Sequence, residues 1–267
     1  MNLWWSHTKT RLYPFWAYFR FLTKATNAHG IHSPFVYDLV TNCFYDKKPQ
    51  KAYKTLNRYR AQLKNDPTDL QVTDFGAGSR VFRSGKRSVR QLARHVGVTQ
   101  SRQRLLLRLA HYFTPQNSLE LGTHLGLGTA ALSLGQSQGH ITTVEGCPAL
   151  AQRARTGFDD YGLNNITIIQ ERFDLFLKNL SHETYDLIYL DGNHQKYPTL
   201  AYFEILKQHC SAHSVMIFDD IHWSADMADA WEIIKQDPSV TVSIDTFYWG
   251  LIFFRPGQAK EHFVVRA

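Results

Sequence analysis

Two successive apolar runs in the C-terminal half of the chain end in acids. One reads YLDGNHQKY over 189 to 197 and the other FDDIHW over 218 to 223, which sets Asp191, His194, Asp219, Asp220 and His222 just beyond apolar stretches. Carboxylates are oxygen ligands suited to a hard divalent cation such as Mg²⁺, Mn²⁺ or Ca²⁺, so Asp191, Asp219 and Asp220 are candidate metal ligands. Histidine titrates near neutral pH and can accept a proton from a hydroxyl. A competing role for Asp219 and Asp220 is to cap a helix beginning near Ser224, whose Met227, Trp231 and Ile234 form an apolar face. Tyr197, Trp223 and Trp249 could wall a flat acceptor, although large aromatics near strand ends more often serve packing.

A second group of residues precedes these. The run SLELG (118 to 122) leads into THLGLGTAALSL, so Glu120 is followed by Gly122, Gly126, Gly128 and Thr129 where a helix should start. Glycine lets a turn approach a ligand closely, and a helix N-terminus offers unpaired backbone N–H groups. One unit later the run HITTVEG carries Glu145, a carboxylate that could accept from both hydroxyls of a ribose. A nucleoside-containing cofactor is implied, but the spacing GxxxGxG differs from the GxGxxG of dinucleotide sites. A rival glycine segment, DFGAGS at 74 to 79, is followed by basic residues and no acid-ended strand, and reads as a decoy loop or a lid.

The elements that must position these residues follow from the texture of the chain after Pro115. Seven short apolar runs, at 118–122, 140–146, 165–170, 185–192, 214–220, 241–247 and 250–255, alternate with helical segments. That pattern predicts an α/β fold, a mostly parallel, doubly wound seven-stranded sheet covered on both faces. Only Tyr248 and Trp249 separate the last two runs, too few residues for a crossover, so these should form an antiparallel hairpin at the end of the sheet. Upstream, helical spacing over 89 to 113 with a break at Gly97 predicts two helices. Residues 1–87 read as a helical accessory extension with a loop, and residues 88–267 as the cofactor-binding domain.

With these motifs in place, the chain resembles the class I S-adenosylmethionine-dependent methyltransferases, over roughly residues 97 to 255. The resemblance implies that Glu120 and Gly122 hold the methionine amino end, that Gly126 and Thr129 line the turn, and that Glu145 holds the ribose. It also implies that Arg172 and Phe173 lie near the adenine. The acids look like those of the catechol O-methyltransferase group of small-molecule enzymes, in which an Asp and an Asp-Asn pair hold a metal. Here the pair is Asp219 and Asp220, one charge more negative. By the same resemblance His194 is the general base, with Asp191 beside it in a catalytic role. Other candidates are a loop histidine without function and the lower-ranked His222, His29 and His32. The implied activity is methyl transfer to a small-molecule acceptor, through a hydroxyl and with assistance from a divalent cation.

Composition limits the alternatives. The chain has 267 residues, 43% apolar, 20% charged and 13% aromatic, which excludes extended disorder. Its three cysteines are far apart and form no CxxC pair, so neither a disulfide framework nor a thiolate zinc site is expected. The best N-terminal apolar run, Leu12 to Leu22, is interrupted by Pro14 and Arg20 and is too short to span a bilayer, and no signal peptide is apparent; a cytoplasmic protein is expected. The formal charge of +7 is concentrated between Arg80 and Arg108, and the segment 88 to 110 has the look of a helix-turn-helix. A DNA-binding protein or a nucleic-acid methyltransferase is therefore the competing function, disfavoured because the strand-four motif is DGNH and no Pro-Cys pair for cytosine chemistry occurs. The aromatic N-terminal segment could serve as a homodimer interface, a substrate lid or a contact with a membrane surface.

Overall fold

The computed structural model describes residues 3–73, 75, 85–181 and 183–267, with side chains from residue 13 onward. In chain order the helices and strands are α1 (Leu3–Lys24), α2 (Pro34–Leu39), α3 (Ala52–Asn65), β1 (Asp69–Gln71), β2 (Lys86–Ser88), α4 (Val89–His95), α5 (Gln100–Phe113), β3 (Asn117–Leu121) and α6 (Leu127–Gly135). They continue with β4 (His140–Val144), α7 (Pro148–Asp160), β5 (Ile166–Ile169), α8 (Phe173–Lys178), β6 (Tyr185–Leu190), α9 (Lys196–Leu206), β7 (Cys210–Asp219), α10 (Ala225–Gln236), β8 (Val242–Asp245), β9 (Trp249–Phe253) and β10 (Glu261–Val264). None of the described helices is long and apolar enough to cross a membrane.

The main sheet has eight strands in the order β10-β8-β9-β7-β6-β3-β4-β5. Side chains alternate between the faces of a strand, and each face is covered by helices. Leu187, Tyr189, Val215 and Ile217 join one core with Leu106, Ala131 and Leu150 from α5, α6 and α7. Their neighbours Ile188, Leu190, Met216 and Phe218 join the other with Phe176, Phe203 and Trp231 from α8, α9 and α10. Burial on both faces explains why the strands read as continuous apolar runs. Each fully buried side chain of this size contributes about 1.5 to 3 kcal/mol relative to exposure.

All seven expected runs form strands, but the sheet has eight members. The additional strand, β10, pairs parallel with β8, and its short stretch EHFV lies beside charged residues that mask it in the sequence. The hairpin of β8 and β9 is antiparallel as expected. Its strand β9 is not at the end of the sheet, however: it is inserted between β7 and β8 and runs antiparallel to both. The N-terminal extension is also not purely helical, because β1 and β2 form a separate antiparallel pair. Of the DFGAGS segment only Phe75 falls within the described residues.

The two helices expected over 89 to 113 are present as α4 and α5, and Gly97 between them has the left-handed φ of 86° that favours glycine. The three arginines of α5 are engaged within the chain. Arg108 donates to the carbonyls of Cys43 (2.7 Å) and Phe44 (3.1 Å) at the end of a π-helical turn, Val40–Phe44. Such turns leave carbonyls without helical partners. Arg104 lies over the ring of Tyr53, and Arg102 turns toward the end of β7. The face that a DNA-reading helix would present is thus used for packing.

Residues of the extension share the first core: Val36, Leu39, Leu56, Tyr59 and Leu63 are all buried in it. One buried polar chain ties three helices together. Arg60 on α3 donates to the Val98 carbonyl (2.7 Å) and to Gln103 Oε1 (3.0 Å), and Gln103 on α5 donates to the carbonyl of Leu127 (2.8 Å) at the start of α6. Removing one partner leaves buried acceptors unsatisfied, so Arg60→Met should lower unfolding free energy by about 2 kcal/mol. Urea denaturation measures this, and an unchanged midpoint would show that the network adds nothing to stability.

Candidate active site

Four non-glycine residues with left-handed backbone lie at one edge of the sheet: His124 (φ 50°), Asn193 (64°), Asp220 (53°) and Phe247 (74°). They follow β3, β6, β7 and β8 respectively. Such conformations persist only where the surroundings enforce them, and they concentrate at functional sites. The same edge carries every acid singled out in the sequence.

The glycine turn is set by close approach. Gly122 has φ 114°, and a Cβ there would lie 2.1 Å from the carbonyl oxygen of Asp191. Only glycine therefore allows the ends of β3 and β6 to come so near. Gly126 has φ 76° and is pressed against Phe158 and the Tyr59 hydroxyl, which itself donates to the Leu125 carbonyl (2.9 Å). Glu120 lies beneath this turn, with no exposed surface. Its Oε2 accepts from the hydroxyls of Thr129 and Thr143, while its Oε1 finds no hydrogen-bond partner among the described residues. Burial pushes the Glu120 carboxyl up to about 7, with the two threonines opposing the shift.

Glu145 follows β4. Its Oε2 accepts from the His124 N–H (2.8 Å) and its Oε1 from the Cys147 N–H (2.9 Å), so both oxygens are oriented by backbone donors. Phe173 packs where a Cβ on Gly192 would be, 2.7 Å away, next to Asp191. Arg172 is paired bidentately with Asp174 (3.0 and 2.9 Å) and lies over the ring of Phe75. Phe75 also covers Gly146, the residue after Glu145. The segment read as a decoy loop or a lid thus supplies an aromatic ring beside Glu145 and Arg172, a placement that no spacing in the sequence signals.

At the ends of β6 and β7 the acids converge. One ligand atom from each of Asp191, His194 and Asp219 lies within 4.8 Å of the others. His194 Nε2 is 4.0 Å from Asp191 Oδ1, and the Tyr189 hydroxyl donates to Asp191 Oδ2 (3.1 Å). Burial, together with the neighbouring Asp219 and Asp220, holds the Asp191 carboxyl well above the usual carboxylate range. The helix-cap reading is not what the structure shows: Ser224 caps α10 by accepting from the Met227 N–H (3.1 Å). Trp249 is buried, and its Nε1 donates to Asp219 Oδ1 (2.6 Å), whereas Tyr197 is largely exposed. His222 is held by Asp245 (2.8 Å) and stacks on Phe247. His29 lies in the Ala28–Gly30 turn of the extension.

Arg102 lies in the segment 88 to 110, whose helix-turn-helix look suggested the competing function, and no motif singled it out, yet it belongs to this cluster. Its Nη1 lies 2.7 Å from Asp219 Oδ1 and 3.6 Å from Asp220 Oδ1, and its guanidinium lies over the ring of Tyr248. Burial opposes its charge, but Asp219 and Asp220 outweigh this and hold its pKa above the ordinary arginine value. A divalent cation about 4 Å from that guanidinium would meet a repulsion of about 8 kcal/mol at an effective dielectric near 20, set against the attraction of the neighbouring aspartates. Asp219 Oδ1 is taken by two N–H donors and Asp220 is turned to the same arginine, so a divalent cation would have to use Asp219 Oδ2, Asp191 and His194 against the charge of that guanidinium. A cavity of 360 Å³ lined by Phe35, Tyr112, Phe113, Phe253 and Arg255 lies toward the other end of β7 and β9, away from this chemistry.

Residues 119–221 match a family described as a methyltransferase domain. An O-methyltransferase of Aspergillus hancockii is 30% identical over 146 residues, which cover 52% of this chain and 58% of that protein, so the chain spans less than two thirds of its length. Among solved structures, the SAH-bound Podospora anserina methyltransferase PaMTH1 superposes with a TM-score of 0.59 at 16% identity, over 84% of this chain and 97% of the other. The O-methyltransferase from Bacillus cereus in complex with SAH gives 0.53 at 18% identity, over 79% and 93%. TomG from Streptomyces achromogenes with SAM gives 0.54 at 15%, over 78% and 91%. At these identities the likeness is one of fold, the Rossmann-like methyltransferase fold.

The raised Glu120 carboxyl gives a signed pH dependence. Its proton is bound more tightly in the folded state, so the associated stability is complete below about 4.5 and is lost as pH rises through about 7. Glu120→Gln cannot ionise, and its stability relative to the wild type should therefore rise by about 3 kcal/mol between about pH 5 and pH 8. Chemical denaturation at the two pH values measures the difference, and a constant gap would show that Glu120 is not perturbed.

Proposed function

We propose, from a methyltransferase domain at residues 119–221 carried on the class I fold, that the protein is an S-adenosylmethionine-dependent O-methyltransferase acting on a small hydroxylated acceptor. The observation that carries this reading is the contact between the Gly122 turn and the Asp191 carbonyl. It puts the cofactor cradle and the acid-histidine pair side by side, as a transfer between two bound molecules requires.

S-adenosylmethionine, when bound, supplies a sulfonium methyl group. In this reading Gly122, Gly126 and Thr129 shape the turn at its methionine end, with Glu120 supporting them from below. Glu145, its carboxylate already oriented by two N–H donors, accepts from the ribose hydroxyls. Phe173 and Arg172 flank the adenine. A neutral hydroxyl is a poor nucleophile until its proton leaves, and His194 takes that proton. Its Nε2 faces Asp191, leaving Nδ1 as the accepting atom. Residues 88–267 form the catalytic unit, and residues 1–87 are its accessory extension.

Calorimetric titration should show binding of S-adenosylmethionine and S-adenosylhomocysteine but not of NAD. Glu145→Ala should weaken that binding at least about tenfold, or about 1.4 kcal/mol. In a radiolabelled methyl-transfer assay on phenolic and catecholic acceptors, His194→Ala should lower turnover about 100-fold while leaving S-adenosylhomocysteine affinity within about twofold. A chain that binds neither cofactor form would overturn the reading, and unchanged turnover in His194→Ala would move the base elsewhere.

A further inference from the structure

We propose that Arg102 is the resident cation of this site, standing where a metal-dependent enzyme of this fold would hold a divalent ion, so that methyl transfer proceeds without one. The inference rests on the methyltransferase reading and adds to it the source of positive charge and the class of acceptor.

Arg102 is not a mobile surface arm. It sits in the first turn of α5, where its N–H reaches the capping hydroxyl of Thr99. The next residue, Gln103, is locked between Arg60 and the Leu127 carbonyl. The Arg102 side chain is only 17% exposed, and that of Asp219 only 6%. Asp219 Oδ1 receives two donors, Arg102 Nη1 at 2.7 Å and Trp249 Nε1 at 2.6 Å, which use the two lone pairs that a carboxylate oxygen offers. The second acid, Asp220, lies 3.6 Å from the same guanidinium nitrogen. Its left-handed backbone is a strained conformation for a non-glycine residue. Arg102 lies outside residues 119–221, so the matched family segment does not supply it.

A guanidinium remains charged throughout the physiological range and is anchored covalently. It offsets one of the two charges that Asp219 and Asp220 can carry, but it has no vacant coordination position through which to lower the pKa of an acceptor hydroxyl. Deprotonation then falls to a side-chain base rather than to a metal. It also follows that the acceptor needs no pair of adjacent oxygens to chelate an ion. A ring or chain bearing one hydroxyl is sufficient, which widens the substrate class beyond vicinal diols.

The test is a Mn²⁺ titration of the full chain loaded with S-adenosylhomocysteine, followed by electron paramagnetic resonance, for the wild type, Arg102→Met and Asp219→Asn. The wild type should show no saturable Mn²⁺ site tighter than about 1 mM. Folded Arg102→Met should gain one Mn²⁺ per chain, bound at least about tenfold more tightly than in the wild type. A wild type that binds one Mn²⁺ at micromolar concentration, with the site lost in Asp219→Asn, would overturn the proposal. A folded Arg102→Met that still binds none would also overturn it, because the arginine would not be what keeps the ion out. Should Arg102→Met not fold, the wild type and Arg102→Gln carry the same two comparisons. Calorimetry with S-adenosylhomocysteine on the same samples reads the cofactor assignment separately; if that fails, the Mn²⁺ titration is made on the free chain.

Discussion

The site depends on one close approach. The carbonyl of Asp191 occupies the space that any side chain at position 122 would need, 2.1 Å from where its Cβ would be. Because β3 and β6 are adjacent and parallel, that contact sets the ends of both strands level at one edge. The glycine turn after β3 and the loop that carries Asp191 and His194 are thereby joined through backbone atoms. The arrangement is rigid where it must be, since neither strand can shift along the other without opening both cores that flank the sheet.

Charge is the second constraint. Three aspartates at adjacent strand ends would repel one another in a half-buried pocket, and the chain answers with an arginine from a helix that precedes the sheet. A buried ion pair adds little net stability, because desolvation offsets most of the attraction, whereas removal of one partner leaves an uncompensated charge. Arg102 is therefore better understood as fixing the electrostatics of the pocket than as holding the fold together. Asp191, further from the guanidinium than Asp219, is the acid whose ionisation is resisted, which leaves its carboxyl suited to accepting or donating a hydrogen bond beside His194.

The sheet was legible because its strands are buried on both faces and so appear as unbroken apolar runs, each followed by turn residues. The positions of Glu120, Gly122 and Glu145 at one edge were legible for a related reason, since the ends of parallel strands gather on one side of the sheet. Strand β10 was hidden because none of its four residues is fully buried and Glu261 and His262 keep it from reading as an apolar run. Arg102 and Phe75 could not be read at all. Each is far in sequence from its partners, separated by 117 residues in the case of Arg102 and Asp219, and the local context of neither points to the acids or to Glu145. Local pattern reveals what a segment forms, but long-range pairing of charges and rings is decided by the fold.

Those two placements share a physical cause with the accessory extension as a whole. Residues 1–87 lack the alternation that marks a sheet, yet Val36, Leu39, Leu56 and Tyr59 complete the core beneath α5 and α6. Tyr59 carries the argument furthest: its ring fills the space beside Gly157, and its hydroxyl bonds the Leu125 carbonyl within the glycine turn. Since α3 and α5 are pinned to each other through Arg60 and Gln103, and α5 presents Arg102 to the acids, the extension braces the turn from one side and holds the cation in place from the other. Without the extension α5 would lose the Arg60 anchor next to Arg102 and the glycine turn would lose the Tyr59 hydroxyl, so the geometry of this edge depends on residues far upstream of the sheet.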